Sequence, residues 1–111
     1  VDIHAEATAE KISFGHYLDG KVSAVIGSHT HVPTADAMIL PGGTAYQTDA
    51  GMCGDYSGVI GFEKEEPVAR LARRYTGNRL IPCRGEGCLY GTYIETDDKT
   101  GLATKIETFR M

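Results

Sequence analysis

The sequence lacks a basic excess: its 11 lysines and arginines are outnumbered by 15 acidic residues, for a formal charge of −4. Proteins that grip double-stranded nucleic acid neutralise phosphates with a strongly basic face, so that partner is not expected. A long apolar run is missing too. The longest, Val22 to Ile26, is strand-sized and far short of the roughly 20 residues of a membrane helix, so no membrane association is expected. Cysteines number three, Cys53, Cys83 and Cys88, an odd count without a disulfide framework, which points to a reducing, cytoplasmic compartment. Val1-Asp2-Ile3-His4 is neither an initiator methionine nor a charged segment leading into an apolar one. No export signal is readable there, and a truncated or processed chain is expected.

What is present suffices for one domain with one core in 111 residues. Val1 to Ile3 reads as the tail of a buried strand. Thr8 is the expected N-cap of a helix running to Leu18, with Glu10 in its first turn, Phe14, Tyr17 and Leu18 on one face, and Gly20 closing it. Val22 to Ile26 is a nearly continuous apolar strand of the kind covered on both faces, which completes a βαβ unit. A hairpin follows, Ala37 to Leu40 and Thr44 to Thr48 around Pro41-Gly42-Gly43, then a glycine-rich loop from Asp49 to Gly58. Glu63 to Tyr75 carries Val68, Leu71 and Ala72 at helical spacing. Leu80 to Cys83, Cys88 to Thr96 and Leu102 to Phe109 read as strands, the last two joined by the turn signal Asp97-Asp98-Lys99-Thr100-Gly101.

The sharpest chemical feature is His29-Thr30-His31, which follows an apolar strand directly, where open α/β sheets present their ligand-binding groups. In extended backbone the two imidazoles would project to one side and could serve one metal ion or two adjacent ones. His4 ends the preceding strand of the same βαβ unit, so parallel pairing would bring all three histidines to one edge. A lone pair of this kind is as readily explained by hydrogen-bonded surface histidines; two strand ends meeting favour a metal site. His16, in mid-helix, is expected to be structural or exposed. Glu6 could support a ligand or touch substrate, Asp49 and Gly51 could line a pocket, and Thr30 could face phosphate. The arginines at 70, 73, 74, 79 and 84 fit a solvated face better than an anion site, and Cys83 with Cys88 lacks the second pair that a structural zinc needs.

The runs Val1 to Thr8 and Tyr17 to Val32, followed in order by Thr34-Ala35-Asp36, Leu40 to Tyr46, Thr48-Asp49, Gly51-Met52 and Val59-Ile60-Gly61, resemble the YmdB-like branch of the metallophosphoesterases. The resemblance implies an α/β fold: part of a layered sandwich with a mixed sheet, flanking helices and a C-terminal β-hairpin, residues 1–111 forming the C-terminal half of a single domain. It implies a metal-dependent phosphodiesterase hydrolysing cyclic nucleotides at a dinuclear centre of divalent ions, iron or manganese before zinc. His4 and His29 would bind the second ion and His31 the first, with Ser28 standing where the superfamily motif usually has glycine. The carboxylate and asparagine ligands would lie upstream of position 1, so no catalytic residue is assigned within this chain.

Neutral imidazoles do nothing to offset two divalent charges, so the chain alone is expected to hold one ion weakly and to hydrolyse little. Its expected partners are a small phosphodiester substrate and the N-terminal half of the domain or another copy, as a homo-oligomer. A non-catalytic module holding one structural metal is the competing class. An amidohydrolase-type enzyme also uses such a histidine pair, but its barrel needs roughly 250 residues.

Overall fold

The computed structural model describes residues 1–74 and 76–111. It divides into two compact units, Val1–Met52 with Tyr90–Met111, and Cys53–Leu89. The first holds a four-stranded sheet in the order β1-β2-β4-β3, from β1 (Asp2–His4), β2 (Ala24–Ser28), β3 (Met38–Ile39) and β4 (Ala45–Gln47). β1 pairs parallel with β2 and β2 parallel with β4, while β3 turns back antiparallel on β4. The helix α1 (Thr8–Leu18) joins β1 to β2, so the expected βαβ unit is present. β2 begins and ends two residues later than its apolar run suggested.

Helix α1 starts at Thr8, which makes Ala7 the N-cap; no side chain caps the helix, and Glu10 favours its first turn through charge alone. Its inward face also differs from the aromatic stripe read from sequence. Lys11 and Gly15 are the buried positions, Phe14 and Leu18 pack at their flanks, and Tyr17 is exposed beneath the Lys21 ammonium. Gly15 is small by necessity: a Cβ there would fall 2.5 Å from the Tyr46 ring, which belongs to the core with Val25 and Leu40. Gly27 in β2 is tighter, because a Cβ would overlap the Thr48 carbonyl oxygen. The 41–43 turn is tied to the end of α1 by Asp19, which accepts from the Gly42 and Thr44 amides.

The hairpin β5 (Tyr90–Thr96) and β6 (Ala103–Arg110) is antiparallel, as the terminal turn signal suggested. It joins the sheet through Thr92, whose hydroxyl donates to Gln47 Oε1 at 2.5 Å, and through the Ala103 amide, which donates to Gly43 O.

The second unit contains α2 (Glu65–Leu71), shorter than the sequence periodicity suggested. The chain turns at Ala72, and Arg73 takes φ 56°; the predicted helix end at Tyr75 lies outside the described residues. Leu80 to Cys83 does not form a strand but makes one isolated bridge, Phe62 with Pro82. Glu66 is buried and accepts from Arg70 Nε at 2.9 Å and from the Thr76 hydroxyl. Among the described residues no helix is long and apolar enough to cross a membrane.

Candidate metal centre

Parallel pairing sets His4 opposite Ser28, so β1 and β2 deliver their carboxyl ends to the same edge of the sheet. His29 follows at once. Its Nδ1 lies 3.0 Å from His4 Nε2, with ring centroids 4.9 Å apart and planes at 82°. The outer nitrogen of each ring also has a partner. His4 Nδ1 is 3.1 Å from Ser28 Oγ, which itself donates to Asp2 Oδ1 at 3.3 Å. His29 Nε2 is 2.6 Å from the carboxylate of Glu6, whose side chain is otherwise largely exposed.

The backbone carrying the His29-Thr30-His31 segment is not extended. His29 has φ 118° and His31 φ 63°, values in the left-handed region that L-residues seldom occupy. The strand alternation that would set the two rings side by side therefore does not apply here. His31 is exposed, and no group of three or more histidine, cysteine, aspartate or glutamate residues among the described residues is arranged to hold an ion. The structure brings the His4 and His29 imidazoles together. His16 is exposed on α1, away from the strand ends.

Such a segment persists only where its surroundings over-determine it. Asp49 supplies that support. Its Oδ2 accepts from the Thr30 amide at 2.8 Å and from Lys11 Nζ at 3.1 Å, and its Oδ1 accepts from the Gly51 amide at 2.9 Å. Lys11 and Asp49 have no side-chain exposure. Burial works to raise the Asp49 carboxyl, but the Thr30 and Gly51 amides and Lys11 outweigh it, so its pKa lies below the ordinary carboxylate value. Around it, Thr34 and Gln47 close on the Asp49 backbone carbonyl.

Of the further residues singled out from sequence, Glu6 reaches the histidine pair. Asp49 is held inside the protein and braces the loop from below, because every contact of its carboxylate is internal. Thr30 spends its amide on Asp49 and its hydroxyl on Val32 O. Gly51 takes φ 83°, which suits glycine, to turn its amide toward Asp49. Sequence reasoning missed Lys11, Asp2 and the part played by Ser28. Lys11 was findable: Lys11, Phe14, Gly15 and Leu18 share the i, i+3, i+4, i+7 stripe, and a lysine on an inward stripe needs a buried anion.

The two facing donors are imidazole nitrogens, a ligand type that divalent first-row metals accept. Two nitrogens each about 2.1 Å from an ion, at a right angle to one another, are about 3.0 Å apart. His4 Nε2 and His29 Nδ1 have that separation.

Comparison with known proteins agrees along the whole chain. The family described as YmdB-like protein matches residues 1–109. A protein named 2',3'-cyclic-nucleotide 2'-phosphodiesterase from Bacillus subtilis (strain 168) is 49% identical over 107 residues, which are 96% of this chain and 40% of that protein. A putative phosphatase/phosphodiesterase from Mycoplasma pneumoniae is 40% identical over 112 residues, all of this chain and 40% of that one. Among solved structures, a novel phosphatase from Mycoplasma pneumoniae superposes with a TM-score of 0.92 at 38% identity, covering all of this chain and 40% of that one. A hypothetical protein from Thermus thermophilus gives a TM-score of 0.88 at 43% identity, with 100% and 43% covered. The chain thus spans 40% of the length of the curated relatives it matches.

Proposed function

The chain belongs to the YmdB-like family, and from that premise we propose that it is part of a metal-dependent phosphodiesterase acting on cyclic nucleotides. His4 and His29 are the nitrogen ligands of one divalent ion, and His31 serves its neighbour. The observation that carries this reading is the 3.0 Å approach of His4 Nε2 to His29 Nδ1, a spacing compatible with shared coordination of one ion. The exposure of His31 supports assigning it to a separate ion. The name of the Bacillus subtilis relative supports a cyclic nucleotide as substrate.

A pair of divalent ions, when bound, would supply a bridging water of lowered pKa and a clamp on both oxygens of an in-line displacement at phosphorus. The residues of this chain do the holding: they contribute neutral nitrogens at fixed separation on a sheet edge, and Asp49 keeps the loop between them in place. Charge compensation has to come from carboxylates, which we assign to the portion of the protein that this chain does not span. Iron or manganese fits mixed imidazole and carboxylate ligands, and zinc is also accommodated. The odd count of three cysteines supports a reducing, cytoplasmic setting.

The test is metal analysis of the full-length protein beside His4→Ala and His31→Ala variants, with hydrolysis of 2',3'-cyclic nucleotides followed in parallel. Each substitution is expected to lower the bound metal and to cut turnover by at least about a hundredfold. Unchanged metal content in both variants would remove the reading.

A further inference from the structure

We infer that Asp2, Ser28 and Glu6 are positioning residues that fix His4 and His29 in opposite tautomers, with the bare Nε2 of one turned toward the bare Nδ1 of the other. The inference rests on the reading of these histidines as ligands of one ion and adds what makes them ligands.

The protons around the two rings can be counted. An ionised carboxylate accepts hydrogen bonds and donates none. Glu6 Oε2 sits 2.6 Å from His29 Nε2, so that nitrogen carries a proton, and in the neutral ring Nδ1 is bare. On the other ring the assignment passes through a hydroxyl. Ser28 has one proton, given to Asp2 Oδ1, so its oxygen accepts from His4 Nδ1–H, and Nε2 of His4 is bare. Two lone pairs then face each other across 3.0 Å. That arrangement is repulsive, and a divalent ion bound to both nitrogens from one side, about 2.1 Å from each, relieves it.

Asp2 decides the outcome. Without it, the Ser28 hydroxyl is free to turn and donate to His4 Nδ1, which moves the ring proton to Nε2 and blocks the metal-facing nitrogen. The parallel register makes the relay possible: Asp2 and His4 are two apart on β1 and share a face, and Ser28 stands opposite His4 on β2. A glycine at position 28 could not take part. Outer partners of this kind orient ligand imidazoles at metal sites, and losing one costs about 10- to 100-fold in metal affinity.

The experiment uses full-length, metal-free protein labelled with 15N-histidine at about pH 8, where free imidazole is neutral. Long-range proton–nitrogen spectra report which nitrogen of each ring is protonated. Protons on Nδ1 of His4 and on Nε2 of His29 are expected. In Ser28→Ala and Asp2→Ala, His4 is expected to move toward the other tautomer, while Ser28→Thr, which restores the hydroxyl, keeps the original one. Manganese affinity is expected to fall about 10- to 100-fold in Ser28→Ala, Asp2→Ala and Glu6→Ala and to be retained in Ser28→Thr. Wild-type spectra with the His4 proton on Nε2, or spectra unchanged in Ser28→Ala and Asp2→Ala, would overturn the inference. Loss of manganese in His4→Ala with full affinity in Ser28→Ala and Asp2→Ala would sink the relay alone. Full affinity in His4→Ala would sink the ligand reading beneath it.

Discussion

Lys11 Nζ lies 3.1 Å from Asp49 Oδ2, with both side chains wholly shielded from water. The contact joins the crossover helix to the strained segment that carries His29 and His31, because the same carboxylate oxygen accepts from the Thr30 amide. A buried ion pair is a poor source of net stability compared with apolar packing, yet breaking one by removing a single partner is costly. Here the pair earns its place by fixing a loop.

Removing one member strands the other. Asp49→Asn is expected to destabilise by about 3 to 5 kcal/mol, since it leaves the Lys11 ammonium buried without a counter-charge. Lys11→Met/Asp49→Asn should lose less than the two single substitutions together, with a coupling of about 1 to 3 kcal/mol. Denaturant unfolding of the four proteins measures it; strict additivity would count against a direct interaction.

Acid should loosen the same loop. The Asp36 carboxyl, like that of Asp49, lies below its ordinary value: burial raises it, but the Thr34 and Thr48 side chains and the Thr48 amide outweigh that. Stability from such groups is complete above the unfolded carboxylate value, about pH 4, and is lost as pH falls through the lower folded values. The urea midpoint is therefore expected to drop steeply below about pH 4, and less steeply in Asp49→Asn, which has one titrating group fewer.

Backbone strain at the histidine segment predicts a split between stability and ligation. At φ 63° an alanine is as strained as the native histidine, whereas glycine is at ease. His31→Gly should thus be more stable than His31→Ala by about 1 kcal/mol in metal-free protein, although both lose the same imidazole. Equal unfolding midpoints would mean that the loop relaxes when the ring is removed.

Close approach in β2 gives the sharpest steric expectation. Gly27→Ala would push a methyl into the Thr48 carbonyl oxygen, and it should cost about 3 kcal/mol or more. Gly54→Ala is the control, because nothing lies within 4 Å of its added Cβ. Its effect should stay within about 0.5 kcal/mol. Thermal melts of the pair distinguish them.

Much of this was legible in the residues. The βαβ unit, the 41–43 turn and the terminal hairpin follow from periodicity and turn chemistry, which are local. His4 and His29 could be placed together because parallel strands must deliver their ends to one edge. What was hidden depends on tertiary context. Nothing local announces that His29 and His31 adopt left-handed backbone, since Asp49, well beyond His31 in the chain, enforces it from inside. Thr8 missed the cap because a capping side chain is only one way of starting a helix. Leu80 to Cys83 is apolar enough for a strand, but a single bridge was all it found.

The register that sets His4 against Ser28 has a consequence for how such a protein can vary. The donor spacing follows from the pairing of β1 with β2, roughly 4.8 Å apart, and from the braced segment that begins at His29. A slip of β1 by a single residue would turn His4 to the opposite face of the sheet and end the pairing at once.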